Sequence, residues 1–328
     1  MILLFCAGIQ GVRIYMRPSD LHIKKLHHFT GHTGAVYAIE EGPETHTIFT
    51  GAGDGVIALW RTDADQPASG IARVPGNIFS LELIADHNFL ICGDMKGGIY
   101  VINLATREVI KNLSRNDASV FDLHYSELTK ELFAASGDGH IHVWQLPDFI
   151  YKKPVRIASQ SIRNIAVSPD HNTFVFAASD HNLYVTDSEL RIQNILTGHT
   201  NSVFCSSFTN DGNILLSGSR DARLRSWDAE NSFRALKAID AHMFTINDIK
   251  CSPGGKLFAT AGRDKHIKIW ETDTLSLLKV IDVEKFGGHI NSVNKLFWSG
   301  SDNCLISCGD DRAVMVWEIS TKNQQSGN

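Results

Sequence analysis

Seven times along this 328-residue chain a short pattern recurs in full or worn form: Asp, two residues, an aliphatic residue, two residues, Trp. Its last position falls at Trp60, Ile102, Trp144, Thr186, Trp227, Trp270 and Trp317, at intervals of 42, 42, 42, 41, 43 and 47 residues. So regular an interval means that each repeat is one supersecondary unit, unable to bury its apolar faces except by stacking on its neighbours. No local signal constrains the fold as tightly. A period of about 40–45 residues is the length of four short strands, one blade of a propeller.

The stretch from Gly198 to Asn231 shows the internal grammar. Val203–Phe208 alternates in polarity, and Thr209–Asn213 offers the Asn, Asp and Gly of a tight turn. Ile214–Ser219 reads as a second strand, Arg220–Arg223 as another turn and Leu224–Trp227 as a third strand; a weaker fourth covers about Phe233–Ile239. Second strands elsewhere, such as Phe89–Cys92 and Leu257–Thr260, are apolar on nearly every residue. Both of their faces must therefore be covered, as stacking each blade between two others would do. No segment carries a sustained 3.6-residue stripe, so helix is scarce. The expected fold is all-β, a seven-bladed β-propeller of four-stranded antiparallel blades.

Composition removes several classes of function. A net charge of -5 opposes non-specific nucleic-acid binding, which needs a basic surface to displace counterions. The six cysteines have no CxxC or zinc-ligand spacing, and Cys92, Cys304 and Cys308 lie in apolar runs, where a thiol packs as a small hydrophobe. Reduced core thiols suit a cytoplasmic protein. Met1–Gly8 is apolar but lacks a basic start and is too short for a leader or a span, so no membrane association is expected.

Four repeats carry a further set of residues in register: a His after Gly or Ala, a Ser or Thr four residues before the Asp, and Trp six after it. They are His32, Thr50, Asp54 and Trp60; His199, Ser217, Asp221 and Trp227; His242, Thr260, Asp264 and Trp270; His289, Ser307, Asp311 and Trp317. These residues resemble the WD40 repeat family along nearly the whole chain. The resemblance implies that each set is a hydrogen-bonded tetrad inside a blade, running from the Trp N–H through the hydroxyl and the imidazole to the carboxylate. It also implies that the sequence repeat is offset from the blade, so that Leu21–Phe29 closes the ring beside Val314–Trp317. Residues 17–320 would form the propeller, 1–16 an N-terminal appendage and 321–328 a disordered polar tail. Leu3–Tyr15, which aligns loosely with Leu215–Trp227, reads as the remnant of a further half-blade.

Three repeats depart from the pattern. The second has Val74, Lys96 and Ile102 at the His, Asp and Trp positions. The third keeps Asp138 and Trp144 but has Asn116 and Ala134; the fourth keeps only Asp180, with Ala158, Phe176 and Thr186. These blades are expected to rest on apolar packing instead.

Ser217, His199 and Asp221 also have the residue types of a hydrolase triad, but a working triad needs one exposed nucleophile and this set occurs four times over. His22, His27, His28 and His32 have no clustered Cys or carboxylate partners, so no metal or cofactor is expected. Asp-Gly pairs such as Gly53-Asp-Gly lack the acidic spacing of calcium loops and read as turns.

Function then follows from the resemblance: a monomeric, non-catalytic scaffold binding proteins or peptides, through the narrow face where first strands begin and where the residue before each Asp emerges. First-strand positions on that face are Tyr37, Phe79, Phe121, Arg163, Phe204, Asn247 and Asn294; the candidates are Arg220 and Arg263, from neighbouring blades, and Tyr37, Phe79, Phe121 and Phe204. The aromatics are either interface anchors or packing between blades, and the arginines either meet an acidic segment or form a solvated rim. The alternative is an enzyme or small-molecule binder at the mouth of the channel.

Overall fold

The computed structural model describes residues 16–115, 117–300 and 304–321. They form seven four-stranded antiparallel sheets. In blade 1 the order from the axis outward is Val36–Glu41, Thr47–Ala52, Val56–Arg61 and Ser69–Arg73. Blades 2 to 6 repeat that order, their inner strands being Ile78–Ile84, Val120–Ser126, Ile162–Val167, Val203–Phe208 and Ile246–Cys251. Blade 7 takes Val293–Trp298, Cys304–Gly309 and Ala313–Thr321 from the end of the chain and Leu21–Thr30 from its beginning. Leu21 opposes Thr321 and Phe29 opposes Val314, which is the expected closure. The inner strand of blade 7 meets that of blade 1, completing the circle.

The second strands are buried residue after residue, six of six in Thr47–Ala52, Leu257–Gly262 and Cys304–Gly309. The apolar core is divided accordingly into seven clusters, one at each junction between blades. Phe29, Val314 and Val316 of blade 7, for example, pack on Val36 and Trp60 of blade 1. Met16 packs on blade 6–7 residues, and its N–H donates to Glu271 Oε1. The described ring thus includes Met16 and Thr321; the remainder of the expected appendage and of the polar tail lies outside the described residues, as does Asn116.

Inner strands are sheet edges that face the channel, so their free N–H groups need partners from elsewhere. Side chains of the preceding blade supply several. Glu82 accepts from Tyr125 N–H (2.6 Å), Asp122 from Ile165 N–H (2.9 Å), Asn164 Oδ1 from Ser206 N–H (2.7 Å), and Asp248 from Leu296 N–H (2.9 Å). Each contact staples one blade to the next.

Candidate functional site

The four tetrads are assembled within single blades. In blade 5, Trp227 Nε1–H donates to Ser217 Oγ (2.9 Å), Ser217 Oγ lies 2.9 Å from His199 Nε2, and His199 Nδ1 lies 2.9 Å from Asp221. Blades 1, 6 and 7 repeat this with Thr50, Thr260 and Ser307 as the central hydroxyl. The arrangement satisfying every group has Oγ–H donating to Nε2 and Nδ1–H donating to the carboxylate. Burial pushes the Asp221 carboxyl up, but the hydrogen bonds from His199, Thr200 N–H and Arg223 N–H outweigh it and hold the group far below the usual range. Ser217 is fully buried with its oxygen engaged on both sides, a geometry that leaves a nucleophile no approach to substrate.

The worn blades correct an expectation: they do not rest on apolar packing alone. The residue two before the Trp position sends a polar tip to an Asp in each of them. Tyr184 O–H donates to Asp180 (2.7 Å), which also accepts from Ser159 N–H and Oγ–H. His142 Nε2 lies 3.8 Å from Asp138. In blade 2 the carboxylate missing at Lys96 comes from Asp94, two residues earlier, which accepts from Lys96 N–H, Gly98 N–H and Tyr100 O–H. Gly76 leaves room for it, since a Cβ there would run into the Asp94 carboxylate. The compensation is incomplete at Trp144, whose buried Nε1–H has no acceptor, because Ala134 stands where the hydroxyl should be. Ala134→Ser is expected to stabilise the protein by about 1 kcal/mol, read as a melting-temperature rise of roughly 2 °C. An unchanged or lower melting temperature would show that Trp144 has no use for an acceptor.

The residue after each Asp position is left-handed in all seven blades: Gly55, Gly97 and Gly139, then His181, Ala222, Lys265 and Arg312. That is turn chemistry, and it accounts for the Asp-Gly pairs.

These turns hold up one rim of the channel. The N–H of the residue before the Asp position donates to the carbonyl just ahead of the inner strand in every blade: Gly53 to Ala35, Met95 to Asn77, Gly137 to Ser119, Ser179 to Ser161, Arg220 to Ser202, Arg263 to Thr245 and Asp310 to Ser292. Ser119, Ser161 and Ser202 each donate Oγ–H to a turn carbonyl of the preceding blade. Then, in every blade, the pairing of inner and second strands slips at the second inner-strand residue. The bulged residues are Tyr37, Phe79, Phe121, Arg163, Phe204, Asn247 and Asn294. A bulge re-aims a side chain, and here it turns seven of them toward one another around the mouth.

They form a continuous arc. Tyr37 meets Phe79 edge-on (centroids 5.0 Å apart), and Phe79 stacks on Phe121 (5.6 Å). The Arg163 guanidinium lies 4.0 Å from the centroid of Phe121 and 5.0 Å from that of Phe204. Asn247 donates to Ser292 Oγ and Val293 O of blade 7, and Asn294 to Val36 O of blade 1 and to Asp310. The four aromatic candidates contact one another or Arg163 across blades and are half-exposed. Arg163, placed on this face by its register but not singled out as a candidate, is the cation that joins them. Arg220 and Arg263 stand exposed just outside the arc.

The sequence profile described as "WD domain, G-beta repeat" matches residues 23–61, 107–145, 190–228, 233–271 and 281–318, more than half of the chain. The chain belongs to the WD40 family. The two repeats this WD40 profile passes over are those ending at Ile102 and Thr186, where the Trp is lost. Among curated relatives, the chain is 28% identical over 188 residues to "Nuclear distribution protein PAC1" of Arthroderma benhamiae, covering 53% of this chain and 40% of that one. It is 22% identical over 310 residues to "Guanine nucleotide-binding protein subunit beta" of Solanum tuberosum, covering 92% and 72%. The chain thus spans less than half the length of the first of these. A solved structure, the WD40 beta propeller domain of Doa1, matches with a TM-score of 0.79 at 18% identity, over 92% of this chain and 98% of that one, and shows the fold.

Proposed function

We propose that this WD40 propeller is a non-catalytic scaffold that binds protein or peptide partners at the mouth lined by the seven bulged residues. The carrying observation is the arc itself: aromatic rings from four blades, held by ring contacts and by Arg163 of a fifth, half-exposed rather than sealed. Rigid, partly desolvated aromatics are the usual anchors of an interface. Exposed apolar side chains cluster on the same face, with Phe244 58%, Ile290 61% and Met243 77% exposed in the loops that lead to inner strands. The bulged ring also weighs against the enzyme reading. Its ionisable members are Tyr37 and Arg163, and burial together with the nearby Asp310 pushes the Tyr37 hydroxyl up, away from acid–base work near neutrality.

Affinity capture with Met243→Glu/Phe244→Glu checks this against Leu128→Glu, a comparable change at the opposite end of the channel. Partners recovered with wild type are expected to be lost from the first variant and kept by the second. The reverse pattern would move the working surface to the other face. We further propose a reducing, cytoplasmic setting, supported by Cys92, Cys205, Cys251 and Cys308 being free thiols. Subcellular fractionation checks it, and recovery from an oxidising compartment would refute it.

A further inference from the structure

We propose that the mouth over blades 4 to 6 takes an extended peptide segment carrying Asp or Glu beside an aromatic or aliphatic residue, with Arg163 holding the carboxylate. This rests on the reading of the mouth as the partner-binding face and adds what chemistry the face selects.

Three observations carry it. First, four arginines of the outer parts of the molecule have carboxylates close by: Arg61 with Asp63, Arg191 with Asp187, Arg223 with Asp240 and Arg234 with Asp228. Among the described residues no carboxylate is paired with Arg163, Arg220 or Arg263. Three uncompensated guanidinium groups thus meet at one mouth of a protein whose net charge is -5. Second, Arg163 is largely withdrawn from water between Phe121 and Phe204, and burial and the neighbouring Arg220 both work against its charge. The ring faces offset part of that cost, and an incoming anion would offset the rest. Third, Nε of Arg163 is already committed to Ser179 Oγ (2.8 Å), which leaves the two terminal nitrogens for a ligand. That pair suits the two oxygens of a planar carboxylate. Apolar groups stand alongside. Met243 N–H is bound to Asp264, the residue after Arg263, and Phe244 follows it. An acidic residue next to a hydrophobic one therefore matches what the face offers, and its approach would be steered by the local positive field.

The test uses the intact chain and a random 12-residue peptide library displayed on phage, followed by fluorescence anisotropy with synthetic versions of the enriched peptides. The expected consensus places Asp or Glu beside an apolar residue. Arg163→Met, which keeps a stem over the rings, is expected to weaken binding tenfold or more, and Arg220→Gln/Arg263→Gln to do so by several-fold. Replacing the peptide's acidic residue with its amide should cost as much in wild type and little in Arg163→Met. Melting curves report whether Arg163→Met is folded; if it is not, the two exposed arginines carry the test. Enriched peptides without acidic residues, affinities indifferent to the arginines, tighter binding of a phosphoserine analogue than of its glutamate counterpart, or no enrichment at all would each overturn the proposal. Peptides lost with Phe244→Glu yet indifferent to the arginines would sink this inference and leave the mouth as the working face. Peptides indifferent to both would sink both.

Discussion

Asp264→Ala is expected to lower stability by about 3 kcal/mol, the upper end of the range for stranding a buried hydrogen-bonding group. The carboxylate takes His242 Nδ1–H at 2.9 Å, Met243 N–H at 3.0 Å and His266 N–H at 3.3 Å. Removing it leaves a fully buried imidazole with an unpaired donor, and the loss passes along the chain to Thr260 and Trp270. Half a network is worse than none. Asp138→Ala in blade 3 should cost about 1 kcal/mol, because the buried His142 imidazole stands off at 3.8 Å and the nearer imidazole, His140 at 3.3 Å, is partly exposed. Urea unfolding followed by Trp fluorescence measures both; equal costs at the two sites would mean that the tetrad adds nothing beyond an ordinary turn. The pH dependence has a definite sign. Burial pushes the Asp264 carboxyl up, yet the hydrogen bonds from His242 and the backbone prevail and hold it at about 2. Its contribution is therefore present above the ordinary aspartate range and fades as pH falls toward 2.

Glu40→Gln should act in the opposite direction. Glu40 lines the channel, where burial pushes its carboxyl up to about 7; Lys250 pulls it down, and Glu41 and Asp122 add to the rise. Glu82 of the neighbouring blade is raised as well, by burial and by Glu40 itself. A carboxyl raised in the folded state binds its proton more tightly there than in the unfolded chain. The stability it contributes is thus complete below the ordinary glutamate range and is lost as pH rises through 7. At about 1.4 kcal/mol for each tenfold change in proton affinity, the loss by pH 8, shared between Glu40 and Glu82, is on the order of 1–3 kcal/mol. Wild type should accordingly lose more stability than Glu40→Gln between pH 5 and pH 8, and the variant should be the more stable of the two at pH 8. Denaturation midpoints across that range decide it. Parallel curves would mean that Glu40 keeps its charge at little cost.

Ring, blade count and closure were legible because period is a global property: seven worn or whole copies of one pattern leave little freedom, and tetrad residues keep fixed offsets. The compensations in blades 2 to 4 were not. Asp94 is displaced by two residues from the expected position, and Tyr184 looks like any strand tyrosine until the third strand is seen to place it beside Asp180. A signal did exist: Tyr100, His142 and Tyr184 occupy one column, two residues before Ile102, Trp144 and Thr186. Arg163 was placed on the rim by its register, but its contacts were not legible. Its importance lies in the rings on either side, which come from blades 3 and 5, and no spacing within one repeat brings Phe121 and Phe204 to it.

The seam in blade 7 has a consequence in time. Leu21 faces Thr321, so one of the first strands to leave the ribosome must wait for one of the last. At roughly 5–20 residues per second, that wait is tens of seconds, during which six sheets can form while the circle stands ajar. Joining the chain ahead of Leu21 to the chain after Thr321 by a short tether, and cutting instead at a loop far from the mouth, would let blade 7 zip up from contiguous chain, and the gap would then travel to whichever wedge received the cut.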